Sequence, residues 1–254
     1  MDKKRLEILQ SRLKHPLLIK KKENLFYLTG RSFMNGYLLV KKKDLVFFGD
    51  GLEKVAGIRK TDRIKHIGRY VRRGQTLLIE DEFTFAESKY LQSRNKESGI
   101  RVNPIKSPVD VLRTIKENEE IKKVAHSMWI VEKVFIEVKR QLAKKTWTEI
   151  ALAKFIKAKG LSLGAEDISF DPIVAAGANA AIPHHKPGGR KLKAGESVII
   201  DFGFKYRGYC SDFTRTMFLK KVPRRLEMAY RQVELAYLNS IASARPGIKT
   251  SKLY

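Results

Sequence analysis

Two aspartates, Asp201 and Asp212, lie in the segment SVIIDFGFKYRGYCSDFTRTMFL, which alternates in the manner of β-strands. Placing Tyr206-Arg207 at a tight turn, eased by Gly208, folds this segment into a hairpin. Lys205 then faces Gly208, Gly203 faces Cys210, and Asp201 faces Asp212. Both carboxylates leave one face of the sheet, with Cβ atoms about 5 Å apart. Like charges in direct opposition destabilise a sheet, so a cation belongs between them. Hard carboxylate oxygens suit manganese, magnesium and related divalent ions, and two metals about 3.5–4 Å apart can share bridging side chains. The same alternation puts Thr214 on that face, near enough to support a ligand. Spacing alone leaves a second reading open, in which both aspartates are solvated residues beside a turn.

Several elements must position this hairpin. FDPIVAAGANA and PHHKPGGRKLKAGE read as β and turn structure preceding it. Thr146 and Glu149, in T-W-T-E, read as a capping box that opens a helix ending near Gly160. Before that helix, Ile121, Val124, Ala125, Met128, Val131, Phe135, Val138 and Leu142 recur at three- and four-residue steps, the stripe of an amphipathic helix. His126 lies beside the stripe, where a packing or surface role fits it. Ser107, Pro108 and Asp110 mark the start of a helical connector. Further upstream, Gly36 to Val40 and Leu45 to Phe48 read as a hairpin, Leu77 to Glu80 as a strand, and Thr84 to Arg94 as a helix. The pattern therefore predicts a small α/β domain over residues 1–107. Residues 108–254 form a second region that begins with the connector and continues into an antiparallel sheet. After Pro223 a helical pattern returns and runs to Arg245.

With 254 residues, 43% of them hydrophobic, the chain can bury a proper core. No apolar run is long enough for a membrane span, and the first residues lack a signal peptide's apolar centre, which points to the cytoplasm. Cys210, the single cysteine, excludes an internal disulfide and a cysteine-rich zinc site. The net charge of +25 raises the question of a nucleic-acid partner. Its basic residues come in short clusters spread along the chain, with no basic tail, so a solvated basic surface accounts for them better.

The run from Ser169 to Phe218 resembles the central signature of the M24 metallopeptidases, in particular their creatinase, Xaa-Pro aminopeptidase and prolidase branch. Its G-A-N turn, P-H pair, GESVIIDFG strand and GYCSDFTRT return strand carry the likeness. ENLFYLTG and NGYLLV resemble the family's N-terminal domain, and LRTIKENEEIKKVAHSMWIVEKV its connector. The resemblance implies a creatinase-like α/β domain followed by a pita-bread domain of α/β (α+β) class, whose antiparallel sheet holds two divalent metals: manganese, cobalt or zinc. It implies that Asp201 and Asp212 are ligands, with Asp212 bridging. His184 would assist at the scissile carbonyl, and His185 would be structural or line the substrate. The expected activity is release of the N-terminal residue from a peptide with proline at its second position, by an enzyme that is a homodimer when complete.

The family also has later histidine and glutamate ligands. Here all five histidines precede Asp201, and only Glu227 and Glu234 follow Asp212, on what reads as a solvated helix face. The resemblance therefore implies a C-terminally truncated, incomplete pita-bread domain that binds metal weakly and is inactive alone. Two alternatives are a metal-free pita-bread module binding protein or nucleic acid, and a creatinase-type hydrolase of a non-peptide C–N bond.

Overall fold

The computed structural model describes residues 2–32, 35–49, 58, 60–221 and 223–253, which divide into two compact units, Met1–Glu117 and Asn118–Tyr254. The first is built from α1 (Lys3–Arg12), β1 (Leu17–Ile19), α2 (Lys22–Thr29), β2 (Tyr37–Val40), β3 (Leu45–Phe48), β4 (Lys60–Asp62), β5 (Thr76–Glu80), α3 (Phe85–Arg94), β6 (Arg101–Ile105) and α4 (Pro108–Thr114). Its strands make one mixed sheet in the order β4-β3-β2-β1-β5-β6. The runs LLI, YLLV and LVFF are apolar at nearly every position because both faces of this sheet are covered. Leu17, Ile19, Leu38 and Val40 pack on one side with Leu6, Leu9, Leu25 and Val109. Leu18, Leu39, Val46 and Phe48 pack on the other with Ile67, Ile79 and Leu91.

Helix α4 opens as its sequence suggests, with the Ser107 hydroxyl accepting from Val109 N and Pro108 in the first turn. It stays with the first unit: Val109 is fully buried in that core, Leu112 packs against the core, and Arg113 bonds Asn24 and Asp110. The division falls after Glu117, within the connector that Ser107 and Pro108 open.

The second unit contains α5 (Asn118–Lys144), α6 (Glu149–Ser162), β7 (Asp167–Ile168), β8 (Ile173–Ala176), β9 (Ser197–Phe202), β10 (Phe204–Tyr206), β11 (Tyr209–Cys210), β12 (Phe213–Phe218) and α7 (Arg224–Ser243). Its strands form two antiparallel three-stranded sheets, β11-β10-β7 and β12-β9-β8. Helix α5 buries Ile130, Val131, Val134 and Val138 against Leu152 and Ile156 of α6 and against Val198, Ile200, Phe202 and Phe213 of the sheet. The stripe begins later than its sequence period suggests, for Ile121 and Ala125 are exposed. Ser127 instead points inward, and its hydroxyl lies within hydrogen-bond distance of the Phe204 carbonyl, at 2.6 Å, and of the Ser211 hydroxyl, at 2.7 Å. Among the described residues, no helix is long and apolar enough to cross a membrane.

Candidate metal centre

Strand β9 alternates cleanly: Val198, Ile200 and Phe202 are fully buried in the core, while Ile199 and Asp201 are half-buried on the opposite face. The hairpin that follows does not turn at Tyr206-Arg207. Tyr206 pairs with Tyr209 and Lys205 with Cys210, so Arg207 and Gly208 form the two-residue turn. Both have positive φ, 46° and 80°, as a type I′ turn requires, and glycine takes the second position without steric cost. The pairing consequently shifts by two residues. Asp201 faces Thr214 instead of Asp212, and Asp212 occupies the diagonal position, a relation that spaces residues about 7–8 Å apart.

A shift of two keeps the side-chain face, and both aspartates line one pocket of about 710 Å³ together with His184 and His185. Between the two strands, Gly203 lies so close to the Ser211 carbonyl that a side chain there would collide with it. Phe204 N turns to the Ser211 hydroxyl, and the ladder divides into its two sheets at this point.

Asp201 carries the site's least satisfied atom. Its Oδ1 is buried without a hydrogen-bond partner. Burial pushes its carboxyl above the ordinary range; the Thr214 hydroxyl opposes the shift, the Asp212 charge adds to it and His184 reduces it. Asp212, Thr214 and His184 are exposed. His184 adopts φ 55°, a left-handed conformation uncommon outside glycine. Thr214 lies beside Asp201 but faces a second hollow, of about 640 Å³, under α7.

An orphaned buried carboxylate oxygen beside a second carboxylate fits a hard divalent cation, which would supply the missing partner and relieve the repulsion. Two carboxylates are a partial ligand set. Among the described residues, no group of three or more histidine, cysteine, aspartate or glutamate side chains could hold a metal.

One residue of the site has a different role from the one its sequence context suggests. Helix α6 is capped by Thr148, whose hydroxyl accepts from Ala151 N, and not by Thr146, so there is no Thr146–Glu149 box. Glu149 is thereby the first helical residue, fully buried, and its carboxylate turns to the loop that carries His184 and His185. T-W-T-E offers two capping threonines two residues apart, and local pattern alone does not choose between them.

The second unit packs one face of its sheet on α5 and α6 and turns the other, with Asp201, toward a pocket that Asp212 also lines. Residues 122–254 match the model of Metallopeptidase family M24, and the chain belongs to that family of metal-dependent peptidases. A Mycoplasma genitalium protein provisionally named an Xaa-Pro aminopeptidase is 30% identical over 264 aligned positions, covering 97% of this chain and 73% of the relative. The Xaa-Pro dipeptidase from Bacillus anthracis has the same fold with a TM-score of 0.84 at 26% identity, over 97% of this chain and 72% of its own. Prolidase from Thermococcus sibiricus gives 0.81 at 29%, over 98% and 74%.

Proposed function

We propose that Asp201 and Asp212 are the first two ligands of a dinuclear centre in a peptidase that removes the residue preceding proline. The observation that carries this reading is the buried, unpartnered Oδ1 of Asp201 on the pocket that Asp212 also lines. When bound, divalent manganese, cobalt or zinc supplies polarisation of the scissile carbonyl and acidification of a water. Asp201, held by β9 on the face turned to the pocket, and Asp212, exposed and diagonal to it on the same pocket, would be the two carboxylate ligands. Ligands beyond these two must join them before two ions are held firmly.

His184 stands at the same pocket and donates a hydrogen bond to the carbonyl oxygen as negative charge develops there. Ile150, Phe170, Pro172 and Ile173 give the pocket an apolar stretch of wall, beside the charged Lys154, Lys157 and Asp171, that can receive a proline ring by burial. The specificity for proline rests on the names of the relatives together with this wall.

The test is calorimetric titration of Mn²⁺ or Zn²⁺ into the chain and its Asp212→Asn variant, with an Xaa-Pro peptide assay alongside. Metal binding that the variant loses is the expected result. Equal binding by wild type and variant, or peptide turnover that survives excess chelator, would overturn the reading.

A further inference from the structure

The carboxylate of Glu149 is fully buried and accepts four hydrogen bonds from four places in the chain. Oε1 takes Ala176 N at the end of β8 and Asn179 Nδ2, both at 2.9 Å. Oε2 takes His185 Nε2 at 2.9 Å and Gly188 N at 3.2 Å. The backbone joins the same seam, since Glu149 N donates to Arg190 O and Ile150 N to Gly188 O. Such a node exceeds what starting a helix requires, because Thr148 already caps α6.

We propose that Glu149 is a positioning residue for the peptide pocket: it anchors the His184–Gly188 loop and fixes which nitrogen of His185 carries the proton. This rests on the reading of that pocket as the peptide site. Burial works against the charged form of Glu149, but the bonds from Ala176, His185, Asn179 and Gly188 outweigh it and hold the carboxyl below the ordinary range. An ionised carboxylate only accepts, so His185 Nε2 must donate. In the neutral ring this leaves Nδ1 as the one acceptor, suited to an N–H donor of a bound peptide. His184, next in the chain, has a left-handed backbone that persists only if its surroundings over-determine it, and two of Glu149's four bonds lie just beyond it, at His185 and Gly188.

The experiment uses the full chain, with ¹⁵N-labelled histidines, at a pH where the imidazoles are neutral. Wild type is expected to show His185 as the Nε2–H tautomer with a slowly exchanging ring proton. A wild-type His185 in the Nδ1–H form overturns the proposal whatever the variants do. Glu149→Gln keeps the shape but offers an amide NH₂ where only acceptors are wanted. It is expected to lose the tautomer bias and to speed exchange of the Gly188 amide by about tenfold or more, as local opening of the seam becomes cheaper. Glu149→Asp, one methylene shorter, is expected to fall between the two. An unchanged His185 tautomer and unchanged Gly188 exchange in folded Glu149→Gln would refute it. Metal titration of the same samples, with Asp212→Asn beside them, separates this from the functional reading: equal metal binding by wild type and Asp212→Asn sinks the metal centre, while the His185 tautomer reports on Glu149 alone.

Discussion

The unpartnered oxygen of Asp201 makes a definite statement about stability. A buried acceptor left without a donor costs about 1–3 kcal/mol, and the partial exposure of Asp201 places it toward the lower end. Asp201→Asn removes the negative charge and the repulsion from Asp212 while nearly preserving shape. The metal-free variant should therefore be more stable than wild type at neutral pH by about 1 kcal/mol, a rise of roughly 2–4 °C in melting temperature for a chain of this size. The sign with pH follows from the direction of the shift. Burial, with Asp212, raises the Asp201 carboxyl above its unfolded value, so its contribution is fully present below the ordinary carboxylate range near pH 4 and is lost as pH rises through the folded value. The advantage of the variant should open over that interval and vanish on acidification. Excess Mn²⁺ should reverse the order, because only wild type offers the full carboxylate pair; at a hundred times its Kd a ligand adds about 2.7 kcal/mol. Melting curves monitored by circular dichroism across pH, with and without metal, provide the assay. A variant that is less stable than wild type at neutral pH without metal, or a gap that persists in acid, would refute this account of Asp201.

Glu149→Ala should lower stability in urea unfolding by at least about 1–3 kcal/mol, the cost of one buried donor left unsatisfied, since it strands the Ala176 and Gly188 amides, Asn179 and His185 in a buried seam. Gly203→Ala should abolish the native hairpin, seen as loss of near-ultraviolet dichroism, because the methyl group meets the Ser211 carbonyl, which is backbone and has little room to yield. Helix α7 exposes Met228, Val233, Leu235, Tyr237, Leu238 and Ile241, an apolar surface that should drive concentration-dependent association. Val233→Glu with Leu238→Lys should move the chain toward monomer in analytical ultracentrifugation.

Much of the secondary structure is legible because its signals are local. The β2–β3 hairpin, the start of α4 at Ser107-Pro108 and the return of helix after Pro223 each follow from period, cap or turn chemistry within a few residues. What tertiary contacts decide is harder to read. Ile121 fits the stripe of α5 by spacing, yet the helix buries Ser127 because the Phe204 carbonyl and the Ser211 hydroxyl await it there. Glu149 has the sequence neighbourhood of a capping residue, but its four partners come from segments 27 to 39 positions away, beyond any local pattern.

The aspartate pair shows where a sequence argument is robust. Choosing between Tyr206-Arg207 and Arg207-Gly208 for the turn depends on which residues tolerate positive φ, and Gly208 decides for the second. That choice moves the partner of Asp201 from Asp212 to Thr214, so the opposing residue is fragile information. The face is not, because side chains alternate with period two and the two candidate registers differ by an even step. Val198, Ile200 and Phe202 could not leave the core without exposing three large apolar side chains, so Asp201 is held to the other face in either register. The diagonal arrangement sets the two carboxylates farther apart than direct opposition would, and the Asp212 charge still adds to the upward push on Asp201 that the metal-free chain has to tolerate.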